Sequence, residues 1–327
     1  MPHSFAFLAN EWDAARSPTL RLCNPPDMKI VKFHMLPRMK LAAFAAALLL
    51  VSTNHLSAQV REFHVKIELI PETAAAEARK PFWVGLLFRL DEGWHIYWQN
   101  PGDAGEPPRV QWQLPPGFTA SSILWPQPLR LGTGSVIDYG YENQVLLMTP
   151  LQVTPIARSA SSAASSTPAI STQAISADVK YIVCREMCIP GKAHLTLSSP
   201  SSGQQTSAQQ FTEWHQLFEQ TRAQIPKPAP KDWKLSARTG SDTNKDKNSD
   251  HFTLSVQTDS KVHAATFFPL EPGQIENSAL QSFAPTANGF RLSLKKSDLL
   301  VKPITSLKGL LVLGPGRAYE IAAPVAP

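Results

Sequence analysis

Cys184 and Cys188 are the side chains best placed to do chemistry: in ADVKYIVCREMCIPGKAHLTL only Arg185, Glu186 and Met187 separate them. If those three residues turn a hairpin, the cysteines oppose each other across two strands. Paired antiparallel positions hold their Cα atoms about 4.5–5.5 Å apart, inside the disulfide window of roughly 4.4–6.8 Å. A helix would also bring positions i and i+4 together. One continuous strand would not, because four residues then span roughly 13 Å. Three uses of the pair stay open. As a staple, so short a loop contributes only about 2 kcal/mol in the chain-entropy account, little for a chain with ample apolar residues. As a redox pair, it cycles between dithiol and disulfide. As a metal site, two thiolates with Met187 between them are soft ligands suited to Cu(I), with His194 to assist. Zinc fits less well, since no second cysteine pair and no His-x3-His cluster completes a tetrahedron.

Other candidates carry less. His95 sits among aromatics and His194 follows Cys188 by six positions; lone histidines are more often structural. Asp138 and Glu142, with Tyr139 between them in DYGYE, are candidates for tuning a nearby thiol, against plain turn and surface roles. There is no Gly-rich phosphate loop, no Gly-x-Ser-x-Gly elbow and no His-Glu-x-x-His motif, and no cofactor is implied. The net charge of +5 is too small to point to nucleic acid.

The third cysteine, Cys23, belongs to a leader. Lys29, Lys32, Arg38 and Lys40 precede LAAFAAALLLV at 41–51, an apolar run too short to span a bilayer but right for a signal h-region. Leu56-Ser57-Ala58 is a small-residue site, and cleavage before Gln59 is expected. Residues 1–58 are therefore read as a leader. Its removal leaves one cysteine pair and no membrane span, in a compartment where disulfides persist.

The pair has to be positioned by strands. With 29 prolines among 327 residues, nearly twice the ordinary share of about 5%, long helices are disfavoured. Phe63, Val65, Ile67 and Leu69 alternate with polar residues, and FWVGLLFRL at 82–90 is a more fully apolar strand. In WHIYW, Trp94, Ile96 and Trp98 share one face, and QNPGDAGEPP at 99–108 is a turn-rich stretch. Further strands are expected at 110–114, 145–153, 179–184 and 193–197. Short strands at this spacing predict an antiparallel β-sandwich. The Ser/Ala/Thr/Pro run at 154–176 reads as a disordered insertion. Phe211, Trp214, Leu217, Phe218 and Thr221 recur at helical spacing, so one linking helix is expected over 207–225, its aromatic stripe used for packing. After the semi-rigid linker IPKPAPKD, strands near 252–256, 265–270, 290–294 and 310–313 form a second, smaller β domain, 232–327, with a polar loop at 240–250.

The succession GWHIYWQNPGDAGEPP, LWPQPLRL, YGYENQVLL and YIVCREMCIPGKAHLTL resembles the N-terminal periplasmic region of DsbD-type thiol:disulfide interchange proteins, in particular the disulfide-corrector branch that includes ScsB proteins of copper-tolerance systems. The resemblance covers about 63–197, and more loosely the second β domain. It implies an immunoglobulin-like sandwich over 59–200 whose pair, Cys184 and Cys188 here, is reduced by a membrane-embedded domain and in turn reduces periplasmic thiol partners. In that family an acidic, aromatic cap loop shields the pair. The matching stretch here, PQPLRLGTGS at 126–135, lacks that signature, which leaves Leu129 as the candidate shield. The chain carries neither a transmembrane bundle nor a thioredoxin-like Cys-x-x-Cys domain up to Pro327. It is thus expected to act as a free-standing periplasmic module served by a separate DsbD/CcdA-like membrane thiol reductant. A non-catalytic interaction domain with a structural disulfide is the remaining alternative.

Overall fold

Apolar residues at every second position give most of this chain strands with one face to bury. The computed structural model describes residues 58–77, 79–132, 134–154, 174–197, 210–240 and 250–326. Residues 1–57 of the expected leader, with Cys23 and the signal segment, most of the low-complexity insertion, and most of the 240–250 loop lie outside the described residues. Among the described residues the order is β1 (Ala58–Glu62), β2 (Val65–Pro71), β3 (Phe82–Leu90), β4 (His95–Gly102), β5 (Arg109–Gln113), β6 (Phe118–Ala120), β7 (Leu129–Leu131), β8 (Asp138–Glu142), β9 (Gln144–Val153), β10 (Ile175–Cys184), β11 (Cys188–Leu197), helix α1 (His215–Arg222), then β12 (Lys227–Pro228), β13 (Lys234–Thr239), β14 (His251–Gln257), β15 (Thr266–Pro269), β16 (Ser282–Thr286), β17 (Gly289–Lys295), β18 (Ser306–Val312) and β19 (Ala318–Ala326). None of these is a helix long and apolar enough to cross a membrane.

The first eleven strands make the predicted immunoglobulin-like sandwich. One sheet runs β1-β2-β3-β9-β6 and the other β11-β10-β4-β8-β7, with β5 also paired to β10. All of these pairings are antiparallel. Val65, Ile67, Leu86, Phe88 and Leu147 of the first sheet meet Ile96, Trp98, Val179, Tyr181 and Val183 of the second in one core. The remaining strands form a third sheet, β15-β18-β19-β13-β14-β17-β16, over a core that includes Phe252, Leu254, Phe290, Leu292 and Leu311.

FWVGLLFRL lacks clean alternation because both faces of β3 are covered. Val84, Leu86 and Phe88 face the sandwich core, while Leu87 packs with Ile70, Leu146, Met148 and Phe218 under α1. Gly85 makes room for this: a Cβ there would lie 3.2 Å from Phe218 Cζ. The aromatic stripe of the helix is packing, as expected. Its extent differs from the expected 207–225. Phe211 forms a β-bridge with Thr73, and the Thr212 hydroxyl and amide bond the carbonyls of Pro71 and Glu72. The chain therefore arrives extended along the end of β2 and coils only from His215. The expected insertion also ends early, because Ile175 and Ser176 already pair with Leu197 and Thr196 in β10–β11. The proline linker is tied down through β12, which pairs in parallel with β19.

Candidate functional site

The three residues between the cysteines do turn a hairpin. β10 and β11 pair without interruption from Ile175–Leu197 to Cys184–Cys188, and the Arg185 amide closes the turn on the Met187 carbonyl at 3.1 Å. Cys184 and Cys188 are disulfide-bonded with Cα atoms 4.1 Å apart. Because Val179, Tyr181 and Val183 point into the core, period-two alternation puts Cys184 on the outer face of the sheet. The two sulfur-bearing residues differ in access. Cys184 is 2% exposed, whereas Cys188 and the three turn residues are exposed, Met187 at 67%.

Cys184 is buried because β4 runs beside it, His95 being its cross-strand partner. Trp94, Ile96 and Trp98 are in the core, so His95 and Tyr97 share the outer face with the cysteines. Tyr97 is 1% exposed, and its hydroxyl lies 3.7 Å from Cys188 Sγ. Burial, reinforced by the carboxylate of Asp138, pushes the Tyr97 pKa up to about 12. The hydroxyl thus keeps its proton at neutral pH and can donate to a thiolate. The His95 ring meets the Tyr97 ring edge-on with centroids 5.2 Å apart. His95 Nε2 is buried without a hydrogen-bond partner, the Asp138 carboxylate standing 3.7 Å away.

A turn folds back over Tyr97. Gly105 adopts φ +77°, and a Cβ there would fall 2.0 Å from Tyr97 Cζ, so only glycine lets the backbone lie on the hydroxyl end of the ring. The turn is held at its start, where Asp103 Oδ2 accepts from the Ile137 amide at 2.7 Å and Asp138 Oδ1 accepts from the Ala104 amide at 3.0 Å.

The other residues singled out in the sequence fall as follows. Asp138 joins the site through His95 and Tyr97, and Glu142 stands opposite His95 in the β4–β8 pairing. Tyr139 points the other way, into the core, and donates to Asn277 Oδ1 at 2.9 Å. Leu129 is 47% exposed on β7, beyond β4 and β8 from the cysteine hairpin. His194 sits further along β11 and bonds Asp178 at 2.7 Å, an exposed contact that holds the Asp178 carboxyl below its usual range. Tyr97 and Gly105 escaped the sequence reading. The parity of WHIYW could have flagged Tyr97, since whatever face the tryptophans leave, His95 and Tyr97 must take. Among the described residues, Glu72, His215 and Glu219 are the group spaced to hold a metal ion. The Arg222 guanidinium already pairs with both carboxylates, which satisfies them without one.

Comparison with known proteins agrees with the motif reading. Residues 66–200 match the family described as thiol:disulfide interchange protein DsbD, N-terminal. Among solved structures, the chain is similar to the N-terminal periplasmic domain of ScsB from Proteus mirabilis, with a TM-score of 0.60 and 14% identity over 84% of this chain and 99% of that one. At that identity the likeness speaks to fold. Among curated proteins, none matches.

Proposed function

Starting from residues 66–200 as a domain that matches the DsbD N-terminal family, we propose that this chain is a periplasmic electron carrier that exchanges thiols and disulfides through Cys184 and Cys188. The observation that carries this is the asymmetry of the pair: one cysteine exposed beside a protonated tyrosine hydroxyl, the other buried behind it. Thiol exchange needs an accessible sulfur and a stabilised thiolate. In the reduced protein, Cys188 as thiolate attacks one sulfur of a partner disulfide and expels the partner's first thiolate, which takes a proton. Cys184, deprotonated in turn, attacks Cys188 Sγ, closes the intramolecular disulfide and releases the second partner thiol. Two electrons pass to the partner, and the pair returns to the dithiol by the reverse exchange with a separate membrane reductant. Tyr97 steadies the Cys188 thiolate, and His95, beside Cys184 and leaning on Asp138, is the group in reach to handle the second proton. The signal segment at 41–51 delivers the protein, residues 59–200 carry the exchange, and 232–327 form an accessory β domain.

The test is the reduction potential of the pair, equilibrated against glutathione or dithiothreitol. A value between about −180 and −270 mV, the range of exchange-active dithiols, is expected. A value below about −300 mV marks a structural bond and overturns the reading; tight Cu(I) binding by the reduced protein would then favour a copper role for Cys184, Cys188 and Met187.

A further inference from the structure

The turn over Tyr97 is fastened from the far side by the second β domain. Asn277, 7% exposed, donates from Nδ2 to Asp103 Oδ1 at 2.7 Å and accepts at Oδ1 from the Tyr139 hydroxyl at 2.9 Å. Its main-chain carbonyl accepts from Arg130 at 2.9 Å. With donor and acceptor both engaged, the amide has one orientation. A second stitch lies at the start of the turn. Asn100, 1% exposed, donates to the Pro269 carbonyl at 2.7 Å and accepts from the Gly102 amide at 3.2 Å. Two residues beyond Asp103, Gly105 rests on the Tyr97 ring, and that ring's hydroxyl lies against Cys188.

We propose that Asn277 is a positioning residue for the redox pair: its bond to Asp103 holds the Gly102–Glu106 turn against Tyr97 and so keeps the Tyr97 hydroxyl on Cys188 Sγ. The second β domain is then part of the exchange site although it supplies no reacting group. This rests on the exchange function proposed above. The titratable groups around the sulfurs are Tyr97 and His95 on β4, Asp138 and Glu142 on β8, and Arg185 and Glu186 in the hairpin turn. The hydrogen bonds of Asn277 run instead to Asp103, Tyr139 and Arg130. A change at Asn277 that alters the thiol therefore travels either through the turn or through Tyr139, which adjoins Asp138 on β8; Tyr139→Phe cuts only the second link and is expected to leave the midpoint unmoved.

The experiment follows alkylation of Cys188 by iodoacetamide against pH in the reduced full chain, with each cysteine read by mass spectrometry. Tyr97→Phe is expected to raise the midpoint by about one pH unit, the scale of one hydrogen bond to a charged group. Asn277→Ala should raise it in the same direction by about half a unit, because the loosened turn weakens that bond without deleting it. The double variant should shift no further than Tyr97→Phe alone, as expected for residues acting through one path. If Asn277→Ala leaves the midpoint unmoved while Tyr97→Phe shifts it, or if the two shifts simply add, Asn277 is interface packing and the inference fails. Should Asn277→Ala not fold, Asn277→Leu, which removes the same bond while keeping the volume and leaving the Asp103–Ile137 bond in place, is read instead. The exchange function is judged separately by the wild-type potential, so either idea can fall while the other stands.

Discussion

Cys188→Ser is expected to reduce thiol–disulfide exchange to the uncatalysed background while leaving the protein folded. The exposed member of the pair is the one a partner's sulfur can reach, and serine cannot take its place as nucleophile or as leaving group. Cys184→Ser should behave differently. Cys188 still attacks, but the buried thiol that resolves the mixed disulfide, 2% exposed in the wild type, is gone, so covalent complexes with partner proteins accumulate. Non-reducing electrophoresis after mixing with a disulfide-bonded substrate reads both outcomes: no adduct with Cys188→Ser, a trapped adduct with Cys184→Ser. Stability separates this from a staple. The loop closed by the bond is so short that its loss costs only about 2 kcal/mol, small beside the burial of two β cores. Exchange should therefore vanish in variants that lose only a small part of their stability. If both variants kept full exchange activity, or if both trapped adducts equally, the assignment of Cys188 as attacker and Cys184 as resolver would be wrong.

The same asymmetry shows what was legible in the sequence. Three residues between two cysteines left a hairpin and a helix both open, and the structure takes the hairpin, whereas FWVGLLFRL at 82–90 predicted β3 to the residue. Local pattern sufficed there because the cysteine hairpin closes on itself and the apolar run of β3 reflects burial on both of its faces. Tyr97 was not found, since its importance comes from Cys188, 91 positions away, and from a turn that folds back onto its ring. Asn277 was further from reach: it meets Asp103 across 174 positions, and no periodicity encodes such a contact. The strand β19, AYEIAAPVA, was missed for another reason. Its buried positions are mostly alanine, with Ile321 the one large aliphatic among them, so the alternation is present but carries little hydrophobic signal. Leu129, the candidate shield, lies on β7, while the segment resting on Tyr97 beside Cys188 is the turn around Gly105, composed of turn formers that the sequence marks only as a loop.

Phe268→Ala is expected to destabilise the whole chain by about 3–5 kcal/mol, the usual cost of emptying a buried aromatic site. The reason lies in the alternation of β15. Phe267 faces the core under the third sheet with Leu311, while Phe268, one residue on, faces the opposite way with Leu310, Val312 and Ala318 into the sandwich core. Phe268 is 5% exposed and meets Tyr139 and Trp98 edge-on, with centroids 5.1 and 6.5 Å away. Such contacts add to area burial, and Tyr139 is also the residue that donates to Asn277. Removing the ring therefore leaves a cavity under Trp98 and Tyr139 and loosens the anchor of the turn over Tyr97. Phe267→Ala, a deletion of the same size one position away, opens its cavity in the second core alone. Urea unfolding followed by hydrogen exchange at β3 and at β14 distinguishes the two. Phe268→Ala should lower protection of β3 as well as of β14, because the sheet that carries it closes the first core; Phe267→Ala should weaken β14 more than β3. A loss below about 1 kcal/mol for Phe268→Ala, the scale of a surface substitution, would mean that the third sheet does not complete the first core. The third sheet would then be unable to hold the site in the way the contacts of Asn277 require.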